Sequence, residues 1–398
     1  MKLILRQSVG LALVILTILF VGCNTVPQKI DATTSQGPIT PWESTPRSES
    51  DEPALDAAPC IIPEELGSPY KGTYGKNEDA KNVWDMIVYD GKLFLGSGDY
   101  NLNSGSKIAC YDLSEHTWTL QRIPDEEANE FCIINGDLIA PGIDPKSDWS
   151  MGNYYVYRDG KWKTVRTIPG GLHNFCMVEC NGLLFAGLGV LEGQTPVACS
   201  ADGGKSFAQV PFYKDGEPWC VEHSNEDRAY VLFVLHGRVY ALLGSFGNRV
   251  FCYEDGRFEY VTDWEDEMTY LVSLGFPRGC FFETVTYRDT LYFTTGHLFK
   301  VSDVQAPVCI DPDEGKVWDL FVEGDVLYVL TARKDDEGNY ISSVYSMSDS
   351  GCELLFYFLD KLPARSFAVN GSDFYFSLLY KSFINQERSG CVLKYSHE

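Results

Sequence analysis

Acidic side chains recur at one position of a repeated phrase in this sequence, and carboxylates gathered in that way can perform acid–base chemistry. The phrase is an apolar run, a tight polar turn and a second apolar run, and it occurs seven times. Six residues before each turn marker stand Asp85, Glu130, Cys176, Val231, Glu283, Trp318 and Arg365. Crowded carboxylates raise one another's pKa, bind a cation, or act as an acid and base pair on a glycosidic bond.

The sixth copy of the phrase places its acid one residue later, at Asp319, because its turn is one residue shorter than that of the first copy. Val83-Trp-Asp85 and Val317-Trp-Asp319 then correspond. The catalytic candidates are the four acids Asp85, Glu130, Glu283 and Asp319. The binding candidates beside them are Arg365, His173 and Asn174. The alternative is a water-filled channel that polar residues line without further function.

The repeated phrase also predicts the architecture that would position these residues. Its turn markers are Gly91, Gly136, Gly182, Gly237, Asp289, Gly324 and Gly371. Strand pairs that recur at roughly 40 to 50 residues are the signature of a β-propeller. We predict an all-β fold over residues 60–398, a seven-bladed propeller of four-stranded antiparallel blades.

The seventh blade has only three strands before the C-terminus, so a strand from elsewhere must complete it. We predict that Cys60 to Leu66 supplies this N-terminal strand and closes the ring, because closure removes the exposed edges of an open sheet. Cys60 would then lie beside the third strand of blade seven, within reach of Cys391 or Cys352 for a disulfide. Most of the other cysteines are expected to be unpaired, since several fall where a small apolar residue fills a third strand.

The loops of this sequence divide into two sets. The first-to-second and third-to-fourth turns of the blades are tight, whereas the second-to-third and blade-to-blade loops are long, and propeller geometry places the two sets on opposite faces. Long loops on a rigid scaffold commonly carry binding function. The loop residues expected to bind are Tyr100, Asn101, Trp149 and Trp219. Aromatic rings beside amides suit a glycan or a protein ligand, and the alternative is that these rings pack the loops themselves.

The N-terminal residues predict export and a lipid anchor. A basic start precedes an apolar run from Val9 to Phe20, which is too short for a transmembrane helix and has the order of a secretory signal. Cys23 follows Val-Gly and resembles the lipobox cysteine of bacterial lipoproteins. That resemblance implies a signal peptide over residues 1–22, lipidation of Cys23 and location in the cell envelope, at the outer membrane in a Gram-negative cell. Residues 23–59 are rich in Ser, Thr, Pro and acids, which predicts a flexible tether.

The charge of the chain argues against one class of partner. Asp and Glu number 56 against 32 Lys and Arg, which gives a net charge of −24. Such a surface repels phosphate backbones, so we expect no nucleic-acid partner. Neither a metal nor a cofactor is assigned from the sequence. We expect the chain to contact the membrane only through the lipid anchor.

One predicted hairpin carries a family signature. Ser200-Ala-Asp-Gly-Gly-Lys-Ser-Phe207 resembles the Asp-box, or BNR repeat, of sialidase-like propellers. That resemblance implies that the hairpin is braced, away from any active site, by Ser200, Asp202, Gly204 and Phe207. Blade one has kelch-like character, because Tyr111 and Trp118 stand at the kelch spacing.

A second match to sialidases has a simpler interpretation. Arg122-Ile-Pro124 is similar to the Arg-Ile-Pro whose arginine binds the substrate carboxylate in that family. The next copy of the repeat carries Arg166-Thr-Ile-Pro169 at the same position. We therefore interpret the match as an outer strand that ends at a proline.

These features favour a non-catalytic, envelope-anchored propeller that binds a glycan or a protein on its long-loop face. A glycoside-acting enzyme that uses two of the four acids is the first alternative. An envelope assembly factor that binds protein partners on the same face is the second.

Overall fold

The structure is a computed structural model, and it describes residues 58–99, 102, 104–146, 149–189, 194–219, 228–244, 249–263, 283–302, 307–313, 315–348 and 351–397. Residues 1–22, Cys23, Tyr100 and Asn101 lie outside these ranges. Among the described residues, no helix has the length and apolar character needed to cross a membrane.

Seven sheets follow one another along the described chain, one for each copy of the repeated phrase, and the strands of each blade pair antiparallel. Each contains a four-stranded blade, and short additional strands extend two of them. The predicted all-β, seven-bladed propeller is therefore confirmed.

The first three blades occupy the N-terminal half of the described chain. β1 (Glu64–Gly67) and a 3-10 turn (Asp79–Lys81) precede blade one, which contains β2 (Met86–Tyr89), β3 (Lys92–Leu95), β4 (Lys107–Asp112) and β5 (Thr117–Arg122). After β6 (Asp125–Glu127), blade two contains β7 (Cys132–Ile134), β8 (Asp137–Pro141), β10 (Met151–Arg158) and β11 (Lys161–Pro169). The short β9 (Ile143–Pro145), which follows β8 in the chain, pairs with β6 and with the first strand of blade three. Blade three contains β12 (His173–Cys180), β13 (Leu183–Gly189), β14 (Val197–Ser200) and β15 (Ala208–Gln209).

The same order continues in the second half of the chain. After β16 (Phe212–Lys214) and β17 (Glu217–Pro218), blade four contains β18 (Ala229–Leu235), β19 (Arg238–Leu243), β20 (Arg249–Glu254) and β21 (Arg257–Asp263). Blade five contains β22 (Glu283–Tyr287), β23 (Thr290–Thr294), β24 (Leu298–Val301) and β25 (Val308–Cys309). Blade six contains β26 (Lys316–Glu323), β27 (Val326–Lys334), β28 (Tyr340–Ser348) and β29 (Gly351–Asp360). Blade seven contains β30 (Ala364–Asn370), β31 (Asp373–Leu378) and β32 (Val392–Ser396).

The N-terminal strand β1 is the fourth strand of blade seven and pairs antiparallel with β32, with Glu64 opposite Lys394. The ladder starts after Pro63, which has no N–H to donate. Cys60 lies elsewhere, beside Tyr357 of β29 in blade six. The disulfide expected between Cys60 and Cys391 or Cys352 is therefore wrong, and none of the ten cysteines in the described ranges forms a disulfide with another.

The tight turns of the inner hairpins come in two forms. In blade one both turn residues have positive φ, 49° at Asp90 and 70° at Gly91, which is the type I′ geometry that suits strand twist. In blades six and seven the glycine is instead the first turn residue, with φ of 58° at Gly324 and 61° at Gly371. Counting six residues back from these two glycines therefore ends one residue before the position that is equivalent to Asp85 in blade one.

The core lies between adjacent blades, where large rings from one blade cover the next. Trp162 of blade two has its ring centroid 5.7 Å from that of Phe94 in blade one. Phe258 of blade four lies 6.3 Å from Phe185 in blade three. Each such pair contributes roughly 0.5–1.5 kcal/mol beyond its buried area, so the ring is held together blade by blade.

The hairpin between β14 and β15 is braced by its own side chains. One carboxylate oxygen of Asp202 accepts hydrogen bonds from the Ser200 hydroxyl at 2.8 Å and the Ser206 N–H at 2.9 Å. The Ser200 hydroxyl accepts the Gly204 N–H at 2.9 Å, while the Gly204 carbonyl accepts a bond from Thr167 of blade two at 2.8 Å. These bonds hold the hairpin against its neighbouring blade.

Substitution of Gly204 by Ala is expected to destabilise the fold more than the same change at Gly203. Both glycines have positive φ, 71° at Gly203 and 86° at Gly204, so each alanine introduces backbone strain of about 1 kcal/mol. Only at Gly204 would the added Cβ also meet a neighbour, at 2.3 Å from the Tyr154 hydroxyl, whereas Gly203 faces open space. We expect a loss of about 2 kcal/mol for Gly204→Ala in urea unfolding, and equal losses at both positions would contradict this packing.

Candidate functional site

A cavity of about 290 Å³ occupies the axis of the propeller, between the inner strands of blades one to six. Three of the four predicted acids line it, namely Asp85, Glu130 and Glu283. Asp319 is 4% exposed at the corresponding position of blade six. The repeat thus brings the predicted acids together around the axis, and their hydrogen bonds separate them into two pairs.

Asp85 and Asp319 fasten one blade to the next. Asp85 accepts the N–H of Met86 and, from blade two, the N–H of Phe131, both at 2.6 Å. Asp319 accepts the N–H of Leu320 at 2.7 Å and, from blade seven, the N–H of Phe367 at 2.8 Å. Both carboxylates therefore have the same structural task, as the matching Val-Trp-Asp phrases indicate.

Glu130 and Glu283 have no hydrogen-bond partner among the described residues. Burial, with the neighbouring Asp85, raises the pKa of Glu130 to about 8. Burial, followed by repulsion from Asp319, Asp85 and Glu130, raises the pKa of Glu283 well above its usual range. Both glutamates therefore favour the protonated form more than an exposed glutamate does.

The ring of acids is poorly suited to glycoside hydrolysis. That reaction needs an ionised carboxylate as nucleophile or base beside a protonated acid. Both free glutamates have raised pKa values, and Asp85, whose pKa burial raises to about 7, is committed to two backbone N–H groups. The cavity volume is also at the lower limit of common ligand pockets.

Arg365 does not occupy the position in the ring that counting back from Gly371 assigns to it. Because the turn of blade seven begins at Gly371, Ser366, the residue before Phe367, takes the place of the acids, and Arg365 falls in the β-bulge between Ala364 and Ser366. The Arg365 guanidinium instead lies over the ring of Trp84, at 4.1 Å from its centroid, and 5.9 Å from that of Trp318.

The same bulge recurs at the start of the inner strands. The unpaired residue of the bulge is Phe175 in blade three, Tyr230 in blade four and Trp318 in blade six. The rings of Phe175 and Tyr230 lie 4.6 Å apart. Burial lowers the pKa of Arg365 to about 10, while Glu283 and Asp319 oppose that change. Aromatic rings and cationic side chains, Arg365 over Trp84 and Lys316 over Trp318, therefore lie at the mouth of the channel.

His173 and Asn174 lie beside this mouth, in the first residues of β12. The His173 ring stacks on Phe175 at 5.4 Å, and its Nδ1 lies 2.9 Å from a carboxylate oxygen of Asp144. Asn174 is fully buried and donates to the Asn153 carbonyl at 3.1 Å. Asn174 therefore faces the packing between blades, and both residues remain predictions as ligand contacts.

The aromatic residues predicted on the long loops differ in their surroundings. Trp149 is 55% exposed in the loop between β9 and β10. Trp219 is partly buried and packs on the core of blade four, with its ring 5.3 Å from Phe251 and under the guanidinium of Arg249. These contacts correspond to the packing alternative for Trp219, whereas Trp149 is available to a ligand.

Sequence reasoning missed two sets of residues. In the first set, Trp84, Phe175 and Tyr230 were not candidates, and Trp318 was counted only as a position of the ring. A bulge at this point of an inner strand cannot be read from spacing, although the repeated Val-Trp-Asp phrase pointed to Trp84 and Trp318. A second set, in blade five, brings together His297, Cys309 and Asp311, whose ligand atoms lie within 4.8 Å of one another.

Comparison with known proteins supports the architecture. No family model matches the chain, and no curated protein matches it. The WD40 repeats of RRP9 are similar in structure, with 8% identity, a TM-score of 0.50 and coverage of 79% of this chain and 94% of that one. The β-propeller domain of the Trilobed protease from Pyrococcus furiosus has 9% identity and a TM-score of 0.45, covering 79% and 94%. BamB from Moraxella catarrhalis has 10% identity and a TM-score of 0.40, covering 80% and 84%. At 8% identity the first likeness shows the fold alone.

Proposed function

We propose that this propeller is a non-catalytic binding module of the bacterial cell envelope, anchored by lipid on Cys23, whose long-loop face binds a protein. The anchor rests on the lipobox-like sequence, and loss of fatty-acid labelling in Cys23→Ser would test it. The observation that carries the binding proposal is the loop between β31 and β32, which presents apolar side chains from a fixed base.

The base of this loop is held by hydrogen bonds to three other segments. The Tyr380 N–H donates to the Asn82 side chain at 2.8 Å. Arg388 pairs with Asp360 at 2.6 Å and with Glu65 at 2.8 Å. The loop is therefore ordered before any ligand arrives, so binding costs little conformational entropy there.

Two adjacent apolar side chains project from the tip of the same loop. Phe383 is 78% exposed and Ile384 is 48% exposed, and Trp149 adds a third exposed apolar side chain on the long-loop face. Aliphatic and aromatic side chains that protrude together suit an apolar patch on a protein better than the hydroxyls of a sugar. With a net charge of −24 on this chain, a partner with basic residues around that patch is favoured.

The glycoside-acting alternative is less well supported, because two of its four acids accept backbone N–H groups and the other two have raised pKa values. A panel of glycosidase substrates and a glycan array, applied to the full chain, test both the enzyme and the glycan-binding hypotheses. We expect neither turnover nor array binding.

Two variants make that assay decisive. Turnover that is lost in Glu130→Gln would establish the enzyme instead. If the chain bound a glycan, and binding were lost in Trp149→Ala but retained in Glu130→Gln, the ligand of the long-loop face would be a glycan and not a protein.

A further inference from the structure

A histidine, a cysteine and an aspartate meet on one face of blade five, away from the axial channel. Cys309 is the last residue of β25, and Asp311 follows it by two residues, so both side chains point to the same side of an extended strand. Phe299 pairs with Cys309 across β24 and β25, which places His297, two residues before Phe299, opposite Asp311.

Hydrogen bonds already hold the three side chains together. The Cys309 thiol donates to Asp311 Oδ2 at 3.3 Å, and His297 Nδ1 contacts the same oxygen. The other oxygen of Asp311 accepts the Leu298 N–H at 2.6 Å, which fixes the orientation of the carboxylate. The cluster is thus preorganised by its own backbone.

We propose that His297, Cys309 and Asp311 form a binding site for a zinc ion. Zinc bonds of about 2.0 to 2.3 Å in a tetrahedral arrangement place ligand atoms roughly 3.3 to 3.7 Å apart. The three ligand atoms in blade five lie within 4.8 Å of one another, so small side-chain rotations satisfy that geometry.

The chemical types of these three ligands determine which metal ion the site favours. A thiolate with an imidazole and one carboxylate suits zinc and disfavours magnesium and calcium, which prefer oxygen ligands. The His297 side chain is 36% exposed and that of Asp311 is 22% exposed, so an ion can enter from solvent. The backbone N–H of Leu298 on Asp311 supplies the outer hydrogen bond that commonly orients a ligating carboxylate. The zinc site is independent of the protein partner proposed for the long-loop face.

Titration of the reduced full chain with cobalt, which substitutes for zinc and is visible to spectroscopy, tests the site. We expect one equivalent of Co²⁺ to produce a thiolate-to-cobalt charge-transfer band, and Zn²⁺ to abolish it. Cys309→Ser should remove the band, whereas Cys199→Ser, at a cysteine of similar burial in β14, should retain it. His297→Gln and Asp311→Asn should each weaken binding at least about tenfold.

A band that persists in Cys309→Ser, or affinities unchanged in both His297→Gln and Asp311→Asn, would overturn the proposal. Zinc-edge X-ray absorption of the wild-type chain gives a reading that does not depend on the folding of any variant. One sulfur at about 2.3 Å is expected, and a spectrum without a sulfur ligand would contradict the site.

Discussion

Replacing Glu130 by Gln is expected to raise the free energy of unfolding at pH 8 and to leave it almost unchanged at pH 5. The unfolded glutamate loses its proton near its ordinary pKa of 4.5, whereas burial keeps the folded group protonated up to a pKa of about 8. Between these two values the folded state holds the additional proton, so its stability falls as pH rises. Glutamine is neutral at every pH and resembles the protonated acid, so it removes this loss.

The difference in stability between variant and wild type at pH 8 is expected to be on the order of 4 kcal/mol, because about 1.4 kcal/mol is lost for each pH unit between the pKa of the unfolded and of the folded group. Urea unfolding at pH 5 and pH 8 measures it. Glu115→Gln, at an exposed glutamate on the turn between β4 and β5, is the matched control and should show no such dependence. A Glu130→Gln chain that is less stable than wild type at pH 8 would show that the ionised carboxylate is needed in the channel.

Replacing Asp319 by Ala is expected to destabilise the propeller by on the order of 4 kcal/mol. The change leaves the N–H groups of Leu320 and Phe367 without their acceptor in a buried position, and each unsatisfied group costs roughly 1–3 kcal/mol. Because Phe367 belongs to the next blade, the loss falls on the contact between blades six and seven. Thermal and urea unfolding of the variant measure the effect.

Asp85→Ala should show a loss of similar size, since Asp85 makes the same pair of bonds to Met86 and Phe131. Asp325→Ala, in the exposed turn of blade six, is the control and should be nearly neutral. If Asp319→Ala and Asp325→Ala were equally stable, the brace assigned to Asp319 would be wrong, and its carboxylate would be free for another role.

The architecture could be predicted from sequence because each blade repeats the same pattern of apolar runs and tight turns. Turns such as Asp90-Gly91 require positive φ at both residues, so they mark hairpins at a regular period whatever the core residues are. The position of the acids around the axis followed from that period. The period also revealed that Val83-Trp-Asp85 and Val317-Trp-Asp319 are equivalent.

Other parts of the candidate site depend on three-dimensional detail that spacing does not carry. Arg365 falls in the bulge before Ser366 and lies over Trp84, and the count of residues does not show where its guanidinium points. The cluster of His297, Cys309 and Asp311 depends on which residue of β24 faces Cys309. Strand register of this kind depends on the geometry of the loop between the two strands, which spacing alone does not give.

We propose that the long-loop face, and not the axial channel, carries the function. Site-specific photo-crosslinking in the native cell tests it most directly, with the photoreactive residue at position 383 or 149 on that face and at position 90 or 255 in the tight turns. We predict one discrete protein adduct shared by positions 383 and 149, retained in a Glu130→Gln background, and no adduct from positions 90 and 255. Adducts from the tight-turn positions alone, or adducts abolished by Glu130→Gln, would contradict the claim.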